Sequence, residues 1–300
     1  MQNPNIDIGT YGIWTATLDA QPSTVAAEAV AELDELGFGA VWIPETVFRE
    51  PFVHASLLLA GSRRIRVATG IVNRYGRDPL ACNAAMQTLN EAFPGRFLLG
   101  LGVSHEHLVS WVRKHDYSKP YTGMVEYLDA MASARFFAPQ GEPPAQMVLA
   151  ALGPRMLRLA ADRTAGAHPY FVPPEHTAIA RATMGPEPLL AVEQMVVLDP
   201  DPVSARATAR QHMAVYLKAP NYTNNLARLG YGADDVAAGG SDRMVDAVVA
   251  WGTIDATLAR VQAHLDAGAD HVCIQVLDPD GARLPMREWA ELSSALGLSG

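Results

Sequence analysis

Three stretches of this chain join a glycine or a buried apolar run to side chains that can bind or titrate. The first is Gly102-Val103-Ser104-His105, followed by Glu106 and His107, directly after the apolar run Phe97 to Leu101. A run without polar alternation reads as a strand buried on both faces, and its carboxyl end is where α/β proteins place ligands. Glycine there lets backbone approach a flat or charged ligand, because no Cβ intervenes. The second is Gly153-Pro154-Arg155 with Met156, preceded by Ala151 and Leu152. Proline suits the first position of a helix, and free N–H groups at a helix start bind phosphate; an ordinary strand-to-helix turn has the same residues. The third is Glu45-Thr46 after Ile43-Pro44, where a carboxylate can accept a hydrogen bond from a heterocycle or simply cap a helix.

Other motifs lead away from common chemistries. Gly100 and Gly102 begin a dinucleotide fingerprint, but His105 stands where its last glycine belongs, and no acidic residue ends a following strand at the right distance. His105 and His107 are too close for the helical zinc pair, and His115 adds no complete ligand set, so no metal is expected. There is no Gly-x-Ser-x-Gly elbow, and Cys82 and Cys273 have no histidine at motif spacing.

Positioning these groups requires strands that end together. Strand candidates are 6–14, 40–44, 65–72, 97–101, 147–151, 165–170, 189–197 and 271–277. Between the first two, Ala26, Ala29, Val30, Leu33 and Leu36 form one helical stripe that stops at Gly37. A helix end, a glycine turn and a buried strand recur at Leu36-Gly37-Phe38-Gly39-Ala40-Val41-Trp42-Ile43, at Ala165-Gly166-Ala167-His168 and at Ala267-Gly268-Ala269-Asp270-His271-Val272-Cys273-Ile274. Eight such strands with helices between them fit an α/β (β/α)8 TIM barrel; a doubly wound sheet uses the same joints. Residues 199–252 exceed one crossover and contain helical stretches at 205–217, 222–229 and 243–251. They read as a strandless helical insertion between strands 7 and 8 of one domain spanning 1–300. The strand ends then collect Trp14, Glu45, Thr46, Thr69, Gly70, Ile71, Asn73, Gly102, Val103, Ser104, His105, Ala151 to Arg155, His168, Pro169, Tyr170 and Gln275.

Formal charge is −9 and no Lys/Arg run occurs, which argues against nucleic acid or an anionic membrane as partner. Nearly half of the 300 residues are apolar and 18% are charged, enough for a large core. No apolar stretch reaches membrane-span length and the first seven residues lack a signal pattern, so a cytoplasmic protein is expected. The two distant cysteines read as buried hydrophobes of a reducing compartment.

With these strand ends assembled, the chain resembles the bacterial luciferase-like flavin and deazaflavin superfamily over nearly its whole length. The resemblance rests on residues 36–45, on Ile65-Arg66-Val67-Ala68-Thr69-Gly70-Ile71, on Arg77-Asp78-Pro79 and on Pro94-Gly95-Arg96 through His105. It continues in Ala150-Ala151-Leu152-Gly153-Pro154-Arg155-Met156 and in 165–170. Its nearest branch is the actinobacterial one that uses the deazaflavin coenzyme F420 instead of FMN. The resemblance implies a ring held against the third strand, with a non-proline cis peptide at Gly70–Ile71. It implies that Gly102, Val103 and Ser104 line the ring and that Ala151, Leu152, Gly153, Pro154, Arg155 and Met156 hold the phosphate. His168, Pro169 and Tyr170 close the pocket, while Trp14, Asn73 and the 199–252 segment shape the substrate side. Many relatives carry an acidic residue and then a histidine at the second strand end; this chain has Glu45-Thr46. Threonine cannot donate a proton near neutral pH, so either another group replaces the histidine or the reaction needs none; His105 is the substitute, and Glu45 is the other catalytic candidate.

The expected activity is hydride transfer between F420 and a small organic substrate. Alternatives are an FMN-dependent monooxygenase and a non-catalytic coenzyme-binding barrel, the latter motivated by Thr46. Relatives are often dimers, and Leu57, Leu58, Leu59 and Met86 are apolar positions that pair subunits or face the barrel.

Overall fold

Every strand pairing in the computed structural model, which describes residues 7–298, is parallel. The strands are β1 (Tyr11–Trp14), β2 (Ala40–Ile43), β3 (Arg66–Thr69), β4 (Val72–Asn73), β5 (Phe97–Gly102), β6 (Gln146–Leu149), β7 (Gly166–Ala167), β8 (Leu189–Val197), β9 (Val249–Trp251) and β10 (His271–Val276). Strand β10 pairs with both β1 and β8, which closes an eight-stranded barrel of β1, β2, β3, β5, β6, β7, β8 and β10. Helices between the strands make this a TIM barrel.

Alternation along each strand divides two apolar layers. Trp14, Ala40, Trp42, Ala68, Leu98, Val148, Ala191 and Cys273 pack together as one cluster in the lumen. Their neighbours Val41, Ile43, Val67, Leu99, Leu149, Leu190, Val192 and Ile274 join Val30, Leu33, Leu58 and Trp289 in the layer beneath the helices. Both faces are therefore dry, which is why the strands read as unbroken apolar runs. Seven helices open on proline: α2 (Pro51–Ala60), α3 (Pro79–Ala92), α4 (Pro120–Ser133), α5 (Pro154–Arg163), α6 (Pro174–Met184), α7 (Pro202–Met213) and α8 (Pro220–Arg228), after α1 (Ser23–Glu35). A missing N–H costs nothing at that position, so each of these prolines suits the start of its helix.

The structure alters several expected elements. The third strand breaks after Thr69 at a cis Gly70–Ile71 bond and resumes as β4. The sixth shrinks to Gly166–Ala167, because Pro169 has no N–H to donate and Phe171 adopts φ +62°. The expected helix 243–251 divides into α9 (Asp242–Val248) and β9. Strand β7 pairs with only Leu189 and Leu190, so that side of β8 stays open at Met195 to Val197, and Val249 to Trp251 fill it. The segment therefore contains a strand. Ile6 lies outside the described residues. Leu58, Leu59 and Met86 are buried toward the barrel, whereas Leu57 is exposed. No helix among the described residues is long and apolar enough to cross a membrane.

Candidate functional site

A cavity of about 210 Å³ opens at the carboxyl ends of β2, β4 and β5, lined by Glu45, Thr46, Val47, Asn73, Ser104, Leu108, Val112 and Arg113. The Glu45 carboxylate is nearly buried and fully engaged. It accepts from Asn73 N (2.8 Å), from both Arg77 Nη atoms (3.1 and 3.0 Å) and from Arg113 Nη2 (3.3 Å). Four donors on two oxygens leave it an anchor that fixes the β4 backbone and two guanidinium groups, with no lone pair free for proton transfer. Thr46 Oγ1 and Asn73 Oδ1 are buried without a partner. A buried polar atom left unmet costs stability, so two of them on one cavity wall mark where a ligand's own donors and acceptors fit.

Behind this wall Gly70 is pressed from the lumen. A Cβ on it would lie 2.4 Å from Trp14 Nε1 and 3.0 Å from His168 Nε2, so only glycine fits. His168 Nδ1–H donates to the Ala191 carbonyl (2.9 Å), and its ring stacks on Trp42 at 4.2 Å. Burial pushes its pKa down to about 4, against the carbonyl contact that favours the proton, with His271 adding to the depression. The ring is neutral, and Nε2 is a bare acceptor without a partner, as Trp14 Nε1 is a donor without one. Thr69 is turned away from any ligand: its hydroxyl donates to Gly100 O (2.8 Å) and accepts from Gly100 N (2.9 Å), riveting β3 to β5.

At the end of β5, a Gly102 Cβ would meet Ile71 Cδ1 at 2.4 Å and Ala150 Cβ at 3.1 Å. Ser104 holds φ +58°, a left-handed conformation costly for a non-glycine residue, and its carbonyl accepts from Tyr117 OH (2.9 Å). Half-buried His105 lies 3.1 Å through Nδ1 from Asn221 Oδ1 on α8 and 5.3 Å, ring to ring, from Tyr222. An amide oxygen only accepts, so Nδ1 carries the hydrogen and Nε2 is the lone-pair nitrogen. Burial lowers the His105 pKa, partly offset by the Asn221 contact.

Opposite, α5 begins at Gly153 with no side-chain cap. The Leu152 carbonyl accepts from buried His176 Nε2 (2.8 Å), which sets the turn. Arg155 is exposed, its guanidinium 4.1 Å from the centre of the Tyr121 ring. The remaining wall is aromatic. Tyr170 OH lies 2.9 Å from Tyr216 OH and 2.9 Å from Gln275 Oε1, and Gln275 Nε2 reaches His212 Nε2 at 3.2 Å. Trp14, Phe171, Tyr216 and Tyr222 pack around Tyr170. Beneath them sits Glu193, 1% exposed, whose Oε2 accepts from Phe171 N (3.1 Å) while Oε1 has no partner. Burial raises its pKa to about 8, against the lowering effect of that one N–H.

The structure thus gathers Glu45, Thr46, Asn73 and Ser104 on one cavity and Trp14, Gly70 and His168 behind it. His105 stands at the mouth beside Tyr222, and Tyr170 reaches the same aromatic group. Val103 is half-buried against the outer layer, and Ala151 and Met156 are packed on it too. Arg113, Glu193, Tyr216 and Tyr222 were missed. Arg113 had no signal in the sequence; Glu193 did, as a lone carboxyl inside the apolar run 189–197.

A family profile for luciferase-like monooxygenases matches residues 10–271. A Mycobacterium tuberculosis protein named as a coenzyme F420-dependent oxidoreductase is 32% identical over 110 residues, 37% of this chain, and the match spans about a third (32%) of that relative's length. The 5,10-methylenetetrahydromethanopterin reductase of Methanolobus tindarius is 25% identical over 88% of this chain and 93% of its own. Among solved structures, an F420-dependent secondary alcohol dehydrogenase in complex with an F420-acetone adduct superposes with TM-score 0.78 at 13% identity, covering 97% of this chain and 99% of that one. The profile covers most of the chain and the barrel agrees with it: this protein belongs to the luciferase-like monooxygenase family and is an oxidoreductase of that family.

Proposed function

We propose that this protein transfers hydride between coenzyme F420 and a small organic substrate. The carrying observation is the cavity beside Glu45, with the unpartnered Thr46 hydroxyl and Asn73 carboxamide oxygen in its wall. Donor and acceptor together suit the polar edge of a heterocycle or a hydroxyl-bearing substrate, and the glycines at 70 and 102 let Trp14, His168 and Ile71 pack against the adjoining backbone. When bound, F420 supplies a ring carbon, C5, that takes or gives the hydride.

The chain's own residues then have distinct tasks. Glu45 holds Asn73, Arg77 and Arg113 in place. The half-turn Ser104-His105 and the wall of Tyr170, Tyr216 and Tyr222 exclude water from the mouth. His105, neutral at pH 7 with Nε2 as its lone-pair nitrogen, accepts a proton when a substrate is oxidised; Thr46 takes no part in proton transfer. Val103, Ala151, Leu152, Gly153, Pro154, Met156 and Pro169 shape the coenzyme's surroundings through backbone and apolar contact. The chain works as one domain in which residues 199–252 form a wall of the mouth. Two copies pair through the face of α2 and α3 that exposes Val53, Leu57 and Leu80, in a reducing cytosol that keeps Cys82 and Cys273 as free thiols.

The test is a side-by-side titration of purified protein with F420 and FMN, followed by absorbance, and then turnover on an alcohol, enone and imine panel. The reading expects micromolar F420 binding and coenzyme reduction or oxidation with at least one class. Preference for FMN, or tight binding with no turnover, overturns it.

A further inference from the structure

The coenzyme site read above needs a cation beside its phosphate, and the structure does not bring Arg155 to that task. Arg155 stacks on Tyr121, while a different guanidinium faces the α5 start. Arg228, at the end of α8, has Nη1 3.5 Å and Nη2 3.8 Å from the place a Gly153 Cβ would occupy. Arg228 forms no ion pair among the described residues; its contact is Nη1 donating to Asn225 Oδ1 (3.4 Å). Asn225 is 2% exposed, and its Nδ2 is a buried donor with no acceptor. His176, which also feels the Arg228 charge, is held neutral by burial and ties down the Leu152 carbonyl, so that oxygen does not compete for the cation.

We propose that Arg228 and Asn225 form the anion-binding wall facing the N-terminus of α5, and that this cradle takes the phosphate ester of the bound coenzyme. The proposal rests on the coenzyme reading above. Three features are linked through Gly153, Arg228 and Asn225: a ten-residue helix whose first turn lacks a side-chain cap, a guanidinium without a carboxylate, and a buried amide N–H₂ without an acceptor. The buried Nδ2 is unfavourable alone, and all three are answered by phosphate oxygens. Arg228 supplies the charge, and Asn225 positions it through Oδ1 while offering Nδ2 to the ligand. The segment 199–252 thereby contributes to coenzyme binding as well as to the mouth. One guanidinium and a helix terminus of about half a unit charge balance a singly charged phosphodiester better than a dianionic monoester.

The experiment compares the whole protein with Arg228→Met, Asn225→Asp and Arg155→Met in two assays: fluorescence titration with F420, and the thermal midpoint in inorganic phosphate against chloride at equal ionic strength. Arg228 is exposed, so its variant keeps the core intact. Expected are a loss of F420 affinity of about tenfold or more in Arg228→Met and Asn225→Asp, a weaker salt dependence in Arg228→Met, and little change in Arg155→Met. Phosphate is expected to raise the midpoint of the wild type and not of Arg228→Met. F420 binding unchanged in Arg228→Met, or lost in Arg155→Met instead, overturns the cradle. If the wild type binds no F420, the coenzyme reading fails by itself, and the phosphate assay decides the cradle: selective stabilisation lost in Arg228→Met sustains it, and no phosphate effect on the wild type overturns it.

Discussion

Replacing Glu193 by Gln should make the protein more stable in alkali, and the structure gives the size of the effect. Glu193 lies in the dry lumen with Tyr170, Tyr216 and Tyr222 near it, one N–H on Oε2 and nothing on Oε1. Burial raises its pKa from 4.5 to about 8. The folded state therefore carries one proton more than the unfolded state between those two values. Unfolding free energy falls with pH wherever the folded state binds more protons, by about 1.4 kcal/mol per pH unit for one proton. The stabilisation is complete below pH 4.5 and is lost as pH rises through 8. Over the 3.5 units the sum is on the order of 5 kcal/mol, an upper figure because the lumen can relax around the charge.

Glutamine has the shape of the protonated carboxyl and keeps an acceptor for Phe171 N, so the variant should match the wild type near pH 5. Above it, the two should diverge. Urea unfolding at half-unit steps from pH 5 to 8.5 measures this directly, with the difference between the two proteins isolating Glu193 from every other titrating group. Divergence of about 1 kcal/mol per unit, in favour of the variant, is expected. Parallel curves across the range would refute the assignment of a protonated, desolvated carboxyl at this position.

Four further outcomes follow from the same geometry. Glu45→Ala leaves Arg77 and Asn73 N without their buried acceptor, so urea unfolding should show a loss of about 3 kcal/mol; a loss under 1 kcal/mol would mean that Glu50 and solvent replace it. Gly102→Ala drives a methyl to within 2.4 Å of Ile71 Cδ1, which should cost about 1–3 kcal/mol by overpacking and weaken coenzyme titration with it; unchanged binding would show that Ile71 moves freely. His105→Asn should flatten the acid limb of kcat/KM for substrate oxidation, a limb that lies below pH 6.5 in the wild type because burial lowers the imidazole pKa; identical profiles would remove His105 from the proton path. His168, His212 and His271, each held down to about 4 by burial, stabilise the fold fully above pH 6.5 and progressively less as pH falls through 4, so urea midpoints should drop across that window, and a flat response would mean their rings are not desolvated in the native state.

The barrel was legible in the sequence because burial on both faces leaves strands as short apolar runs, and because helix ends repeat a glycine before the next strand. Residues 189–197 show how far that goes: expected and observed strand coincide. The failures have local causes that composition hides. Val249 to Trp251 sit in a helical pattern but pair with β8, since the two-residue β7 leaves that side of β8 unfilled. Pro169 and the left-handed Phe171 end the sixth strand after two residues, although 165–170 reads as one continuous strand.

The site was legible only where a single stretch carries its own signal. Gly102 and Gly153 announce themselves as places of close approach at strand ends, although at Gly102 the neighbour is Ile71 and at Gly153 it is Arg228. What each charged side chain touches was not readable, because that depends on which strand ends the barrel brings side by side. Glu45 reads as a catalytic candidate and an acceptor for a heterocycle, yet Arg77 and Arg113, 32 and 68 residues away, occupy its oxygens. Arg155 adjoins Gly153 in sequence, but the second position of a helix points outward there and Tyr121 is the surface that it finds. The guanidinium beside Gly153 comes instead from Arg228, at the end of a helix whose start is tied to the β5 loop through Asn221 and His105. That contact sets both ends of α8 against the barrel mouth at once. A substitution at His105 should therefore disturb Arg228 as well, and reduced coenzyme affinity in His105→Asn at a pH where its proton transfer is irrelevant would show that the two sites share one lever.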